Sequence, residues 1–253
     1  MSNCPMACWK CTWVKVIHSE MQMKAILVIL LVFLNLSGKA QFNHAVTDGE
    51  GRTIQGLGDL AINVIKPEDT EGTPLLFEEW KKGRVLLRMN KVINGVSLQL
   101  NLERNVPYFQ RDSIRYEFSD RVLEFSLLHE VAGKADTFLF RSNYPLNGKY
   151  TDRSFYRVLA EGTQVQLLCY MYKTIQENFG FDKNYKRAYQ LREELFIFLP
   201  ATRQFFPVNG KKSLQIALPG YAARIEQLCR LNKWNLKTTS QLQQLVWQLN
   251  SDQ

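Results

Sequence analysis

The chain has 253 residues, of which 32 are basic and 24 acidic, and its formal net charge at pH 7 is +8. Hydrophobic residues make up 45% of the chain and charged residues 22%, which excludes a wholly disordered chain, a collagen-like fibre and a polytopic membrane protein. The length allows one large domain or two small ones.

Residues 1–40 are typical of a targeting segment. The run 25–36 is almost wholly apolar, follows a lysine and precedes Gly38 and Ala40. A basic region, a short apolar region and small residues before the cleavage point indicate a secretory signal peptide cut between Ala40 and Gln41. A transmembrane anchor is the alternative, but the run is shorter than the roughly 20 residues that span a bilayer. We expect an exported protein, periplasmic or secreted, without a transmembrane span in its mature chain.

The residues before this leader extend further than a signal peptide requires. Met21 and Met23 both lie where a natural start would be expected, and an unusually long basic region is the alternative. Cys4, Cys8 and Cys11 have the C-x3-C-x2-C spacing of radical-SAM iron–sulfur motifs. No alternating pattern of strands and helices follows them, and an export signal does. We interpret them as translated upstream sequence and predict no cofactor.

Removal of residues 1–40 changes the inventory of reactive side chains. The leader carries four lysines and one glutamate, so the net charge falls from +8 to +5. Only two histidines and two cysteines remain, and none forms the close sequence pairs that zinc sites use. Cys169 and Cys229 could form a disulfide in an oxidising compartment, or each could be a separate buried thiol.

Period-two alternation dominates from residue 74 onward and predicts strands. Val96, Leu98, Leu100 and Leu102 alternate with polar residues, and further short runs follow near 114–118, 122–127, 155–159 and 165–171. Turn residues such as Asn94-Gly95, Arg104-Asn105 and Glu161-Gly162 separate the runs, which is typical of an antiparallel meander. Pro107 lies in one short run and therefore predicts an edge strand there.

The period changes towards the C terminus. A helix is expected over 211–218, where Pro219 ends it, and Tyr221, Ile225, Leu228 and Leu231 recur at helical spacing. Thr239 or Ser240 could cap a last helix. The predicted fold class is α+β, predominantly an antiparallel β-sheet meander with C-terminal helices. Residues 41–73 are expected to be a turn-rich lead-in and 74–253 a single domain.

Short sequence words resemble one kind of exported protein. They are Gly72-Thr73-Pro74, Glu79-Trp80 with Gly83, the run 158–162, and Lys212-Ser213-Leu214 with Ala217-Leu218-Pro219. In their order they are similar to uncharacterised exported β-rich proteins of bacteria with an outer membrane, a family of unknown function. The resemblance implies export and a β-rich body, and it brings no catalytic residue.

Candidate site residues are few. No nucleophile elbow or phosphate loop occurs, and His129-Glu130 suggests a surface pair, so no catalytic, cofactor or metal residue is predicted. Two basic clusters could form a patch for an anionic partner, with an ordinary solvated face as the alternative. They consist of Lys81, Lys82 and Arg84, and of Lys183, Lys186 and Arg187. Nucleic acid is not expected, because export argues against it.

Two classes of function fit the sequence best. The first is a non-enzymatic envelope protein that binds a partner protein or a glycan. The second is a carrier of an apolar ligand, with a curved sheet and a helical lid, and a hydrolase without a recognisable motif is a third. A large apolar cavity between sheet and helices would favour the carrier, whereas a packed interior with an exposed aromatic patch would favour the binding protein.

Overall fold

The alternating segments build one large sheet, and three helices follow it. The computed structural model describes Pro67 and residues 70–131, 133–179 and 185–251. The strands are β1 (Thr70–Glu71), β2 (Lys81–Leu87), β3 (Val92–Asn101), β4 (Val106–Arg111), β5 (Ile114–Glu117), β6 (Val122–Val131), β7 (Lys134–Arg141), β8 (Tyr156–Ala160), β9 (Gln166–Phe179), β10 (Tyr185–Leu199) and β11 (Gln204–Pro207). The helices are α1 (Lys211–Ala217), α2 (Ala222–Asn232) and α3 (Thr239–Ser251). The predicted α+β class is confirmed.

The strand order shows two meanders joined side by side. It runs β1-β10-β9-β8-β7-β6-β2-β3-β4-β5, with β11 beside the C-terminal half of β10. The strands from β2 to β5 form one meander and those from β6 to β10 the other, and β2 pairs with β6 to join them. All pairs are antiparallel except β1 with β10. The end of the expected lead-in, residues 70–71, thus belongs to the sheet.

Two predictions about the strands are wrong, namely the turn at Asn94-Gly95 and the edge position of the strand with Pro107. Asn94 and Gly95 lie within β3, where the register shift against β2 accommodates Gly95 at a φ of 72° as a bulge. The turn between β2 and β3 is instead a 3₁₀ turn over Arg88–Asn90. β4 is not an edge strand, because it pairs with both β3 and β5. Pro107 is tolerated there because β5 pairs only with residues 108–111.

The sheet curls around a hydrophobic core. Asn105 follows β3 and Phe155 precedes β8, and in a flat sheet these strands would lie about 19 Å apart. Yet the Asn105 side chain bonds to both backbone groups of Phe155, at 2.6 and 3.2 Å. Inside the curl lies a core of buried apolar side chains, among them Leu98, Phe109, Phe125, Phe140 and Met171. Removal of this apolar surface from water is the main driving force for the curl.

Gly83 marks a point where two strands approach closely. A Cβ atom at this position would lie 1.9 Å from the carbonyl oxygen of Ser126 on β6 and 2.9 Å from the side chain of Leu98 on β3. Only glycine fits between the neighbours of β2 at this level. This gives a physical reason for Gly83 in the sequence words described above.

The helices cover one part of the sheet through a second core. Leu214, Ile225 and Leu245 are fully buried there against residues of β8 to β11. The helix pattern is confirmed except at Leu231, which is 68% exposed. The last helix is capped by Thr238, one residue before the expected position, since its hydroxyl accepts a hydrogen bond from the backbone N–H of Gln241. None of the helices in the described ranges is long and apolar enough to span a membrane.

Candidate functional site

The connection between β7 and β8 forms a loop over the opposite face of the sheet. We call residues 142–155 the cover loop. Asn147 and Tyr150 exchange backbone hydrogen bonds of 3.0 and 3.1 Å around a tight turn, in which Gly148 has a φ of 57°. The turn directs the ring of Tyr150 into a buried cluster with Tyr156 and Phe196. The cover loop is therefore held to β8, β9 and β10 by aromatic packing.

A carboxylate on β10 fixes the tip of the cover loop. The Tyr150 hydroxyl donates a hydrogen bond of 2.6 Å to Oε2 of Glu194, and Lys149 Nζ lies 3.3 Å from Oε1. The hydrogen bond from Tyr150 lowers the pKa of Glu194 below its usual value, and Lys149 adds to this effect. Burial raises the pKa of Tyr150, and the negative charge of Glu194 raises it further. At neutral pH the carboxylate is thus ionised and the phenol is protonated.

Tyrosine rings continue from this point along β9. The ring centroids of Tyr150 and Tyr170 are 4.1 Å apart, and those of Tyr170 and Tyr172 are 5.9 Å apart. Tyr170 and Tyr172 are two residues apart on one strand, so they share a face, and both are half-buried. The Lys149 ammonium lies 5.1 Å from the ring of Tyr150 and 5.2 Å from that of Tyr172. The face therefore presents aromatic surface beside a cation.

Two depressions adjoin these rings. The first has a volume of about 460 Å³ and is lined by the cover loop, the β3–β4 turn and the segment 117–122 between β5 and β6. The second has a volume of about 520 Å³ and lies along β9 beside Tyr150, Tyr170 and Tyr172. Both are lined by Ser154 and Tyr170, so they meet at these residues. We call the two together the groove.

Arginines from three separate loops line the first depression. Arg104 donates to the Tyr108 hydroxyl at 2.9 Å and pairs with Glu117 at 3.3 Å. Arg121 pairs with Asp152 at 2.8 Å. Arg153 is exposed, and its side chain makes no hydrogen bond or ion pair with the part of the chain that the structure describes. Ionic contacts within the protein therefore hold two of the arginines and leave the third available.

The basic residues expected to form an anionic-partner patch lie on two different strands where the structure describes them. Lys81, Lys82 and Arg84 lie on β2, while Lys186 and Arg187 belong to β10, and four strands separate β2 from β10 in the sheet. Lys183 lies outside the described residues.

Carboxylates already pair with three members of these two clusters. Lys81 contacts Glu79, Arg84 contacts Glu124, and Arg187 contacts Glu177, all at 3.3 to 3.5 Å. Adjacent residues on β2 also point to opposite faces of the sheet. The groove, rather than either of these clusters, brings unpaired positive charge and aromatic surface together.

The other residues singled out in the sequence are the two cysteines of a possible disulfide and the predicted cleavage residues. Cys169 and Cys229 are both buried and both free, in different hydrophobic clusters, so no disulfide joins them. Burial raises the pKa of the Cys169 thiol to about 12. The predicted cleavage residues Ala40 and Gln41 lie outside the described part of the chain.

His129, which was expected to form a surface pair with Glu130, is half-buried, while Glu130 is exposed. Its ring stacks on Phe77 with centroids 4.3 Å apart and meets the edge of Phe138 at 5.6 Å. The Arg157 guanidinium lies 3.4 Å from the centroid of Phe138 and pairs with Asp136. This arrangement is a row of packed rings and charges on the inner face of the sheet. Across residues 70–131, 133–179 and 185–251, no group of three His, Cys, Asp or Glu side chains could hold a metal ion.

Sequence reasoning missed the residues of the groove. Arg104, Arg121 and Arg153 are scattered over 50 positions and lie in turns, where no period relates them. One signal was available, because Asn147-Gly148 is a strong turn dipeptide and Tyr170 and Tyr172 alternate on one strand. The chain matches no known family model, no curated protein and no solved structure.

Proposed function

We propose that the protein is an exported envelope protein that binds a glycan chain in the groove without catalysing its cleavage. The observation that carries the proposal is the row of tyrosines on β9 beside two depressions that meet at Tyr170. The predicted leader and the resemblance to exported β-rich proteins support the location.

The groove offers contacts both for the apolar face of a sugar ring and for its hydroxyl groups. The electron-rich face of a tyrosine ring attracts the weakly positive C–H groups on the flat side of a pyranose ring. The hydroxyl groups of the sugar need donors and acceptors around its rim. Lys149, Arg153, Glu103 and Asp120 line the two depressions and offer both kinds of group. A chain of sugars could therefore stack on the tyrosines and form hydrogen bonds at the edges.

A folded protein fits this surface less well as a partner. Stable protein interfaces bury about 800 Å² on each side around a cluster of apolar and aromatic anchors. The large exposed apolar side chains lie on separate elements, among them Met89 after β2, Leu128 on β6, Ile216 on α1 and Trp247 on α3. Isolated exposed apolar residues are ordinary and do not mark an interface.

The apolar-carrier alternative finds less support. Such a carrier needs an apolar cavity between the sheet and the helices. That region is filled by tightly packed side chains, since Val165, Leu167, Leu214, Ile225 and Leu245 there have no solvent exposure. The groove lies on other elements, and its lining mixes polar and apolar groups.

Native affinity electrophoresis tests the proposal. The full-length protein is run through gels that each contain one soluble polysaccharide, from a panel of neutral and acidic chains. We expect at least one polysaccharide to retard the protein, and Tyr172→Ala to weaken the retardation about tenfold. Trp247→Ala is the matched control, because it removes an exposed aromatic ring from α3, outside the groove. Failure of every polysaccharide to retard the protein would contradict the proposal, even if the protein captured another macromolecule.

A further inference from the structure

We propose that the end of the groove around Arg153 is a subsite for an anionic oxygen group carried by the glycan, so that the ligand is an acidic polysaccharide. The group is a carboxylate, a sulfate ester or a phosphate, which share the chemistry that an arginine recognises. This inference rests on the proposed function and adds the class of glycan.

Three arginines converge on one depression from different parts of the chain. Arg104 follows β3, Arg121 precedes β6, and Arg153 lies in the cover loop. Two carboxylates, Glu117 and Asp120, line the same depression, and Asp152 pairs with Arg121, so three carboxylates balance the three arginines. The three arginines have planar guanidinium forks, which match the geometry of carboxylates and phosphates, and Arg153 alone of the three has no carboxylate partner among the described residues.

Two of the three arginines are held by neighbouring residues, and the third is not. Arg121 is held on Asp152 by its Nη2 atom, which also donates to the backbone oxygen of Asp152 at 2.9 Å. Arg104 is held between Tyr108 and Glu117. These two side chains are fixed by their neighbours, whereas Arg153 on the rim has no such contact.

A buried donor strengthens the case for an anion. The Nε atom of Arg121 is buried and has no hydrogen-bond partner in the described structure. A buried donor without an acceptor is unfavourable, because it has lost its hydrogen bonds to water. The side chain of Arg121 lines the depression, so an anionic oxygen bound there would lie beside this unsatisfied group, and the charge of Arg153 would attract it. The aromatic face of Tyr170 begins at the same place, so the anionic group and the sugar ring would occupy adjoining positions.

Isothermal titration calorimetry with paired ligands tests the subsite. The full-length protein is titrated with polygalacturonate and with its fully methyl-esterified form, which has the same backbone without the charge. Dextran sulfate and dextran form a second pair, which separates sulfate from carboxylate recognition. The variants are Arg153→Ala and Arg153→Glu. Arg230→Ala is the matched control, since it removes a side chain that is 78% exposed on α2.

We expect the charged member of at least one pair to bind about tenfold more tightly than its neutral partner, and added salt to reduce this preference. Arg153→Ala should abolish the preference, Arg153→Glu should reverse it, and Arg230→Ala should leave it unchanged. Equal binding of charged and neutral chains by the wild-type protein and by Arg153→Ala would overturn the subsite alone. Absence of binding by all four polymers would overturn the subsite and count against the proposed function as well.

Discussion

The hydroxyl of Tyr150 donates a hydrogen bond of 2.6 Å to the carboxylate of Glu194, although 44 residues separate the two in the chain. The bond connects the tip of the cover loop to β10. Since Lys149 pairs with the other oxygen of the same carboxylate, one side chain on the sheet holds two neighbouring residues of the loop. The cover loop forms a wall of both depressions, so this contact determines the shape of the groove.

Tyr150→Phe should lower the stability of the protein. The substitution removes one hydrogen bond to an ionised carboxylate that is about one third exposed, and we expect a loss of about 1 kcal/mol in the free energy of unfolding. Urea denaturation followed by fluorescence measures this. Tyr170→Phe is the control, because no hydrogen bond from the Tyr170 hydroxyl is formed within the described residues. Equal losses in the two variants would contradict the assigned role of Tyr150.

The contribution of Glu194 should depend on pH. Its pKa is lowered in the folded protein, first by the hydrogen bond from Tyr150 and then by Lys149. A carboxyl group of this kind stabilises the folded state above its unfolded pKa, and the stabilisation is lost as the pH falls through the folded pKa. We therefore expect wild type to exceed Glu194→Gln in stability at pH 7 and the difference to shrink below about pH 4. A difference that stays constant between pH 7 and pH 3 would contradict this assignment.

Asn105 should be sensitive to substitution for two separable reasons. Its side chain makes two hydrogen bonds to the backbone of Phe155, and its φ of 54° lies in the left-handed region. Asn105→Gly loses only the bonds and should cost about 2 kcal/mol, whereas Asn105→Ala adds about 1 kcal/mol of backbone strain. Thermal or urea unfolding of both variants checks the order. If glycine destabilises as much as alanine, the strain argument is wrong.

Cys169 and Cys229 should be protected from alkylation in the folded protein. Burial shields both thiols and raises the pKa of Cys169 to about 12, so very little thiolate is present at pH 8. Iodoacetamide labelling followed by mass spectrometry should show no modification of Cys169 or Cys229 in the native protein. In denaturant, both residues should be modified. Rapid labelling of native Cys169, or a disulfide that protects both residues after unfolding, would contradict the structure.

The strands of the sheet could be predicted from the sequence where one face of a strand packs against the core. Leu98, Leu100 and Leu102 alternate because their side chains pack inside the curl, and this periodicity predicted β3. The alternation predicts a strand only over 165–171, whereas β9 continues to Phe179, because the polar residues from Lys173 onward break the apolar pattern. The Lys173 ammonium donates two hydrogen bonds, one of 2.9 Å to the backbone oxygen of Thr73 and one of 2.5 Å to that of Leu75. A polar side chain with tertiary partners breaks the apolar pattern without ending the strand.

The groove did not follow from the sequence because its residues belong together only after folding. Arg121 and Arg153 meet in one depression because the sheet curls and the cover loop folds back, and neither event has a local pattern. In contrast, Lys81 and Lys82 are neighbours in the chain but lie on opposite faces of β2. Proximity in sequence therefore does not place side chains on one face of a strand, whereas Arg121 and Arg153 come together only through the fold.

The most direct test of glycan binding in the groove is an NMR titration of protein labelled on its tyrosine rings. A polysaccharide fragment that binds in gel or calorimetric measurements is added stepwise, and the ring resonances are assigned by single Tyr→Phe variants. We predict that the signals of Tyr170 and Tyr172 shift in a saturable manner. Those of Tyr116 in the core and Tyr221 beside the helices should remain unchanged. Saturable shifts confined to Tyr116 or Tyr221, with Tyr170 and Tyr172 unaffected, would contradict glycan binding in the groove.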